Sequence, residues 1–401
     1  MSDSTDNSVR IVFTGDVALG GEFLERARPR NAPLTFPFTT INDTLSDADV
    51  VVVNLEGPIG TEGQPRPGRS ALLFNDPAVL DWLAGFRCSV CCLANNHMMD
   101  YGPEALARTQ RLLSERGIHH VGAGMNAEQA GKELRLTIRG LKLAILAFTT
   151  DEVHVGSVLA GASEPGSCGL PDEKILCDRV SRLAAETDAV IVLLHWGYEY
   201  FHYPAPVQVD LCRKLADAGA RVVVGHHPHA QQGCETRGTS LISYSLGNLL
   251  LPEMRSASGR LQYRKPVTRQ YALLNTTILQ GRLGEWQLSG GAWDSHYNLL
   301  PFREASAEQF TTRMSEMSEP FKLSNYGLFW DNYATRRRAE LKSEEFRDAL
   351  AKIGKTDFRT LLRTFSVRDL RRNFRRLAKL ATGRKTEASL ADSAIKHTSA
   401  S

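Results

Sequence analysis

The chain has 401 residues, 42% of them hydrophobic and 23% charged, and its 48 Lys and Arg against 45 Asp and Glu leave a formal charge of +3. These values describe a soluble globular protein with ample length for a sizeable core and room for more than one domain. They exclude a membrane-spanning helix, since no apolar run is longer than a strand, and a disulfide-stapled scaffold, since the seven cysteines are odd in number and lie in strand or helix patterns.

Residues 1–9 are polar, carry no signal-peptide pattern and are expected to be unstructured, and the expected location is the cytoplasm, with a peripheral position at the membrane as the alternative. Residues 10–14 form the first predicted strand, ending in Gly15-Asp16-Val17-Ala18. A carboxylate there, with glycines allowing close backbone approach, fits either a hard-cation ligand or a helix cap. Four consecutive valines, 50–53, read as a strand covered on both faces, and through Asn54 and Leu55 they lead into Glu56-Gly57-Pro58, a second carboxylate at the same edge. Residues 60–70, rich in glycine, proline and arginine, form a loop placed to fold over that edge.

The third strand, 89–93, opens into Ala94-Asn95-Asn96-His97-Met98-Met99-Asp100-Tyr101-Gly102, and Pro103 starts a helix to about Glu115. The Asn-His pair fits an Asx turn, or an amide-oxygen ligand beside a proton donor. Cys88 and Cys91 have no second pair downstream and do not read as a zinc knuckle. After a short strand and glycine turn at 118–124, strands 134–138 and 141–148 are joined at Arg139-Gly140 like a hairpin, then 151–170 is a loop and 171–186 an amphipathic helix.

Residues 190–233 hold the densest chemistry. A buried-type strand ends in His195-Trp196-Gly197-Tyr198-Glu199, a helical pattern covers 207–218, and a second such strand ends in Gly225-His226-His227-Pro228-His229. This is a βαβ unit with both loops at the C-terminal edge of a parallel sheet, where ligands gather. A lone strand-end histidine ordinarily serves as a hydrogen-bonded structural residue. Here His195, His227 and His229 can converge, with Pro228 restricting the backbone between two of them, and three convergent imidazoles point to a metal. Trp196, Tyr198, Tyr200, Phe201 and Tyr203 fit a substrate cleft or simple packing.

A strand at 240–245 precedes Leu246-Gly247-Asn248, and 271–281 with 286–290 suggests a closing hairpin. Beyond about residue 300 helical patterns replace strands. Residues 336–387 carry 17 Lys or Arg against 7 Asp or Glu. Within them Ser366 to Asp369 reads as a capping box, followed by a basic amphipathic helix suited to an anionic membrane, an acidic polymer or simple packing. Residues 382–401 are small, polar and expected to be disordered. The basic residues are not interleaved with aromatics, so nucleic acid is not an expected partner.

The motifs Gly15-Asp16-Val17, Asn54-Leu55-Glu56-Gly57-Pro58, Ala94 to Gly102, His195 to Tyr200, Gly225 to His229 and Ser245-Leu246-Gly247-Asn248 resemble, over residues 10 to about 250, the CapA family of poly-γ-glutamate (capsule) biosynthesis proteins. That family itself resembles the calcineurin-like metallophosphoesterases. The resemblance implies an α/β fold, a four-layer α/β/β/α sandwich over 10–300 with metals at one rim, followed by a helical basic extension over 301–381. It implies one or two divalent metal ions, with Glu56 bridging, Asp16 and His229 holding one ion, and Asn96, His195 and His227 holding the other, His226 being the competing candidate. His97 matches the leaving-group acid, and Asp100 and Glu199 from the same motifs join it as catalytic candidates. One departure stands out: phosphoesterases carry a histidine two residues after the first aspartate, where this chain has Ala18. Mixed carboxylate, amide and imidazole donors suit Mn, Fe or Zn. The implied chemistry is hydrolysis of a phosphoester or γ-glutamyl amide in an anionic polymer or peptide, with metal-dependent peptide isomerisation or a non-catalytic assembly subunit of a polymer synthase as alternatives. A membrane surface or synthase partner is implied for the basic helix.

Overall fold

A computed structural model of the chain describes residues 8–24, 36–69, 71–255, 261–262 and 266–353. Two sheets dominate. The first orders its strands Leu299–Pro301, Arg282–Trp293, Gln270–Leu279, Ser8–Val17, Val50–Leu55, Ser89–Cys92 and His119–Val121, with Asn248–Leu250 added beside Ser8–Val17. The second runs Cys234–Arg237, Ser240–Ser243, Ala220–His226, Ala189–His195, Leu141–Thr149 and Leu134–Ile138.

The valine run shows why the layers form. Successive side chains of a strand point to opposite faces. Val50 and Val52 enter a core shared with Ile145, Ile191, Leu193 and Val222 of the second sheet. Val51 and Val53 enter the opposite core, against Leu80, Trp82, Leu83, Leu106 and Leu113 of helices Val79–Ala84 and Gly102–Glu115. Helices Glu173–Glu186 and Pro206–Asp217 cover the outer face of the second sheet. The architecture is therefore helix, sheet, sheet, helix. Phe13 is fully buried between the sheets. Phe13→Ala is expected to cost about 3–5 kcal/mol through lost burial and the cavity left behind, read as a lower urea midpoint.

The predicted hairpins are present: Arg139 and Gly140 take φ of 49° and 83° between antiparallel strands, and Gln270–Leu279 pairs with Arg282–Trp293 over a longer stretch than expected. The first strand starts at Ser8, because Ser8 and Val9 pair with Leu279 and Ile278. All seven cysteines are free, and burial pushes the Cys92 thiol up to about 12.

Helix Ala305–Ser318 lays Phe310, Met314 and Met317 onto the inter-sheet core. By compactness the chain divides into Met1–Trp330 and Asp331–Ser401. In the second unit Arg337 pairs with Glu340 at 3.2 Å and Glu344 at 3.3 Å. The basic helix expected after Ser366 and the tail from 382 lie outside the described residues. Among the described residues no helix is long and apolar enough to cross a membrane.

Candidate metal centre

The expected site residues come from both sheets. Asp16, Glu56, Asn96 and His97 stand at the ends of strands of the first sheet, and His195 and His227 to His229 at the ends of two parallel strands of the second, where His195 is in register with His226. One close approach completes the rim. A Cβ on Gly15 would meet the Gly247 carbonyl oxygen at 2.2 Å, so glycine is what lets Asn248 come into register beside Asp16.

Two donor groups result, all 3% exposed or less. In one, donor atoms of Asp16, Glu56 and His229 lie within 4.8 Å of one another. His229 Nδ1 is 3.1 Å from Asp16 Oδ2 and 2.8 Å from Asn248 Oδ1, and its Nε2 is 3.8 Å from Glu56 Oε1. In the other, His195 Nε2 is 2.9 Å from Asn96 Oδ1 and 3.2 Å from His227 Nδ1. Asn54 links the groups, its Nδ2 donating to Asp16 Oδ1 at 2.7 Å and lying 3.2 Å from His195 Nδ1.

The adjacent histidines separate by partner. His226 Nε2 donates to the Thr14 carbonyl at 3.1 Å, inside the fold, whereas His227 joins the rim group. His227 and His229 hold φ of 94° and 52°, conformations costly for residues with a Cβ, and the Pro228 carbonyl between them accepts the Tyr200 N–H at 2.6 Å. The Asn-His segment also divides its labour. Asn95 makes the Asx turn, accepting from the His97 N–H at 3.2 Å and donating to the Leu55 carbonyl at 2.9 Å, which leaves Asn96 facing His195.

The electrostatics suit a cation. Burial opposes ionisation of Asp16, but the His229 hydrogen bond and the charges of His229, His195 and His226 hold its carboxyl well below the usual range. Burial would also depress His229, yet Glu56 and Asp16 lift it to about 9. Burial drives His195 far down, helped by its neighbour His227, and pushes His227 down to about 4, so both keep a lone pair for a ligand. The buried His227 Nε2 makes no hydrogen bond among the described residues, an orphan that a metal ion would satisfy. Ala18 is buried with Leu73 and Leu251, so the first group takes no donor from that position.

His97 stands beside both groups. Its Nδ1 is 2.5 Å from Asp100 Oδ2, which also accepts the Leu73 N–H at 2.8 Å, and its Nε2 is 3.8 Å from Glu56 Oε1. Glu199 is exposed, and its charge raises the pKa of both His227 and His229. Of the aromatic residues, Trp196 and Phe201 are buried as packing, while Tyr198 stacks on His154 at 4.2 Å and the Tyr200 ring lies 6.4 Å from His229.

Sequence reasoning assigned no role to Asn54, Asn248 or Arg69. The first two lay in the quoted motifs, and their strand-end positions were the available signal. Asn248→Ala removes the acceptor that orients His229, itself fixed by donation to the Thr268 carbonyl at 3.0 Å. It is expected to weaken metal binding by roughly 10- to 100-fold, measured by metal titration against a chelator.

The chain is 30% identical over 258 residues to the capsule biosynthesis protein CapA of Bacillus anthracis, covering 62% of this chain and 61% of that protein. It is 29% identical over 252 residues to the PGA biosynthesis protein CapA of Bacillus subtilis (strain 168), covering 62% and 65%. The matches thus span less than two thirds of either relative. Among solved structures, a putative 5'-nucleotidase from Staphylococcus aureus is similar with a TM-score of 0.44 and 13% identity, covering 77% of this chain and 58% of that one. The sequence model of the family described as "Bacterial capsule synthesis protein PGA_cap" matches residues 10–253, which include every strand end that builds the centre, and the chain belongs to that family.

Proposed function

We propose that the chain is a metal-dependent hydrolase acting on an anionic polymer or peptide of the poly-γ-glutamate type, at an amide or phosphoester bond. The observation that carries this reading is the buried convergence of Asp16, Glu56 and His229 beside Asn96, His195 and His227, with the His97–Asp100 pair facing Glu56. These six residues would hold one or two divalent ions of the Mn, Fe or Zn class, which supply an activated water and stabilise charge developing on a substrate oxygen. Asp100 orients His97 through Nδ1, leaving Nε2 to deliver a proton to the departing group. Asn54 and Asn248 hold Asp16 and His229 in place from behind. The basic stretch 336–387 is proposed to meet an anionic membrane surface or a synthase partner.

The test is elemental analysis of protein purified without chelator, with assays on a phosphodiester and a γ-glutamyl peptide. One or two equivalents of transition metal with turnover of either substrate is the expected result. Metal-free protein without turnover would leave the second reading, a non-catalytic assembly subunit, which the missing donor at Ala18 favours.

The pH dependence follows from His229. Its pKa is raised above the ordinary 6.5, so in the metal-free protein its stabilising contribution is fully present below about 6.5 and is lost as pH rises through about 9. A metal ion must displace that proton. Affinity should therefore rise roughly tenfold per pH unit between about 7 and 9 and level off above, as metal titrations would record. A flat profile would mean that His229 carries no proton before metal binds.

A further inference from the structure

The loop over residues 60–69 packs against the start of helix Gly102–Glu115. A Cβ on Gly63 would meet the Tyr101 carbonyl oxygen at 2.1 Å, and the Arg66 N–H donates to the Asp100 carbonyl at 2.8 Å. This packing carries Arg69 onto His97. Arg69 Nη2 donates to the Asn96 carbonyl at 3.3 Å and lies 3.3 Å from each His97 ring nitrogen, while Nε is 3.5 Å from Asp100 Oδ1. Equal distances to both ring nitrogens put the guanidinium along neither lone pair. It stands beside the imidazole as a positive charge, and its Nη1 has no partner among the described residues.

Arg66 adds a second cation. Its Nη1 donates to the Gly156 carbonyl at 2.9 Å, a Cβ on that glycine would stand 3.4 Å from Arg69 Nη1, and among the described residues Arg66 forms no ion pair. Burial and then the like charge of Arg69 lower its pKa, which marks the two guanidinium groups as neighbours. Two cations thus share one carboxylate, Asp100, which His97 and the Leu73 N–H already engage. The side chains of Arg69 and His97 are 20% and 11% exposed, whereas those of Glu56 and Asp16 are fully buried, so Arg69 and His97 stand on the solvent side of the buried carboxylates.

We infer that Arg69, supported by Arg66, is a specificity-determining residue that binds an oxyanion of the substrate, a carboxylate or phosphate oxygen, next to the bond on which His97 acts. The guanidinium fork matches either group in two parallel hydrogen bonds. The inference rests on the proposed hydrolytic reading and names what that site selects: a substrate with a negative charge adjacent to the scissile bond.

The experiment is a binding titration of metal-loaded wild type, Arg69→Gln, Arg69→Lys and Arg66→Gln with three ligands: a γ-linked glutamate trimer, the same trimer with every carboxyl amidated, and phenyl phosphate. Arg69→Gln should weaken an anionic ligand by roughly 10- to 100-fold, the range for a hydrogen bond to a charged group. The amidated trimer should change less than about twofold on the same principle. Arg69→Lys should fall between wild type and Arg69→Gln, and Arg66→Gln should shift in the same direction by a smaller amount. Whichever anionic ligand suffers identifies the oxyanion as carboxylate or phosphate. Equal weakening of charged and neutral ligands, no weakening at wild-type metal content, or no binding of either anion to wild type would each overturn the inference. If Arg69→Gln loses its metal, Arg66→Gln carries the decision, since among the described residues its side chain hydrogen-bonds to the Gly156 carbonyl and to no residue of the two donor groups. Binding is read without turnover, so a wild type that binds anions selectively but hydrolyses nothing refutes the hydrolase reading and spares this one.

Discussion

His97→Asn is expected to lower kcat by roughly 10²- to 10⁴-fold on a substrate with a poor leaving group, with metal content unchanged. The two halves of that expectation come from different observations. The His97 side chain belongs to neither donor group, its Nε2 lying 3.8 Å from Glu56 Oε1, beyond hydrogen-bond distance, so truncating it leaves the ligand side chains in place. Its Nδ1 is held at 2.5 Å by the fully buried Asp100, which fixes the ring and directs Nε2 at the centre. A proton donor matters in proportion to the basicity of the group that departs. The loss should therefore shrink on a p-nitrophenyl ester, whose leaving group needs no proton. Rates on activated and unactivated substrates are the check, and equal losses on both would make His97 a structural residue. Asp100→Asn should reproduce the pattern more weakly, since it disturbs the orientation of His97 but keeps the imidazole.

Removing His229 acts on the centre itself. In the metal-free protein its imidazolium is the counter-charge for two buried carboxylates, Asp16 at 3.1 Å and Glu56 at 3.8 Å. His229→Ala leaves those charges without it, and breaking a buried pair from one side costs about 3–5 kcal/mol. Chelator-treated His229→Ala should accordingly unfold well below chelator-treated wild type in thermal melts. The same substitution removes a donor from the Asp16–Glu56–His229 group, and metal affinity should fall by more than the roughly 10- to 100-fold expected for its orienting partner Asn248. A variant that keeps both wild-type stability and wild-type metal content would remove His229 from the centre. Asp16→Asn offers the complementary case: it keeps the shape, removes a charge, and should lower metal affinity with a smaller loss of metal-free stability.

Local pattern determined most of the elements. The alternation in the valine run 50–53, the Arg139-Gly140 turn and the proline at the start of helix Gly102–Glu115 are properties of neighbouring residues, legible because burial and backbone geometry repeat over short distances. The strand-end positions of Asp16, Glu56, Asn96, His195, His227 and His229 were legible for the same reason, and the motifs around them carried the family. What local pattern could not determine was which sheet each strand joins. The first three residues rise from one sheet and the histidines from another, and they meet only because the two sheets pack face to face with their C-terminal edges together. The choice between His226 and His227 depended on a carbonyl at Thr14, 212 residues away along the chain. Likewise, the position of Asn248 beside Asp16 depended on the contact of Gly15 with Gly247, and that of Arg69 over His97 on a loop packed against Tyr101. Each of these is set by contacts between residues remote in sequence, and such contacts are fixed by how the layers pack, which no single stretch of the chain encodes.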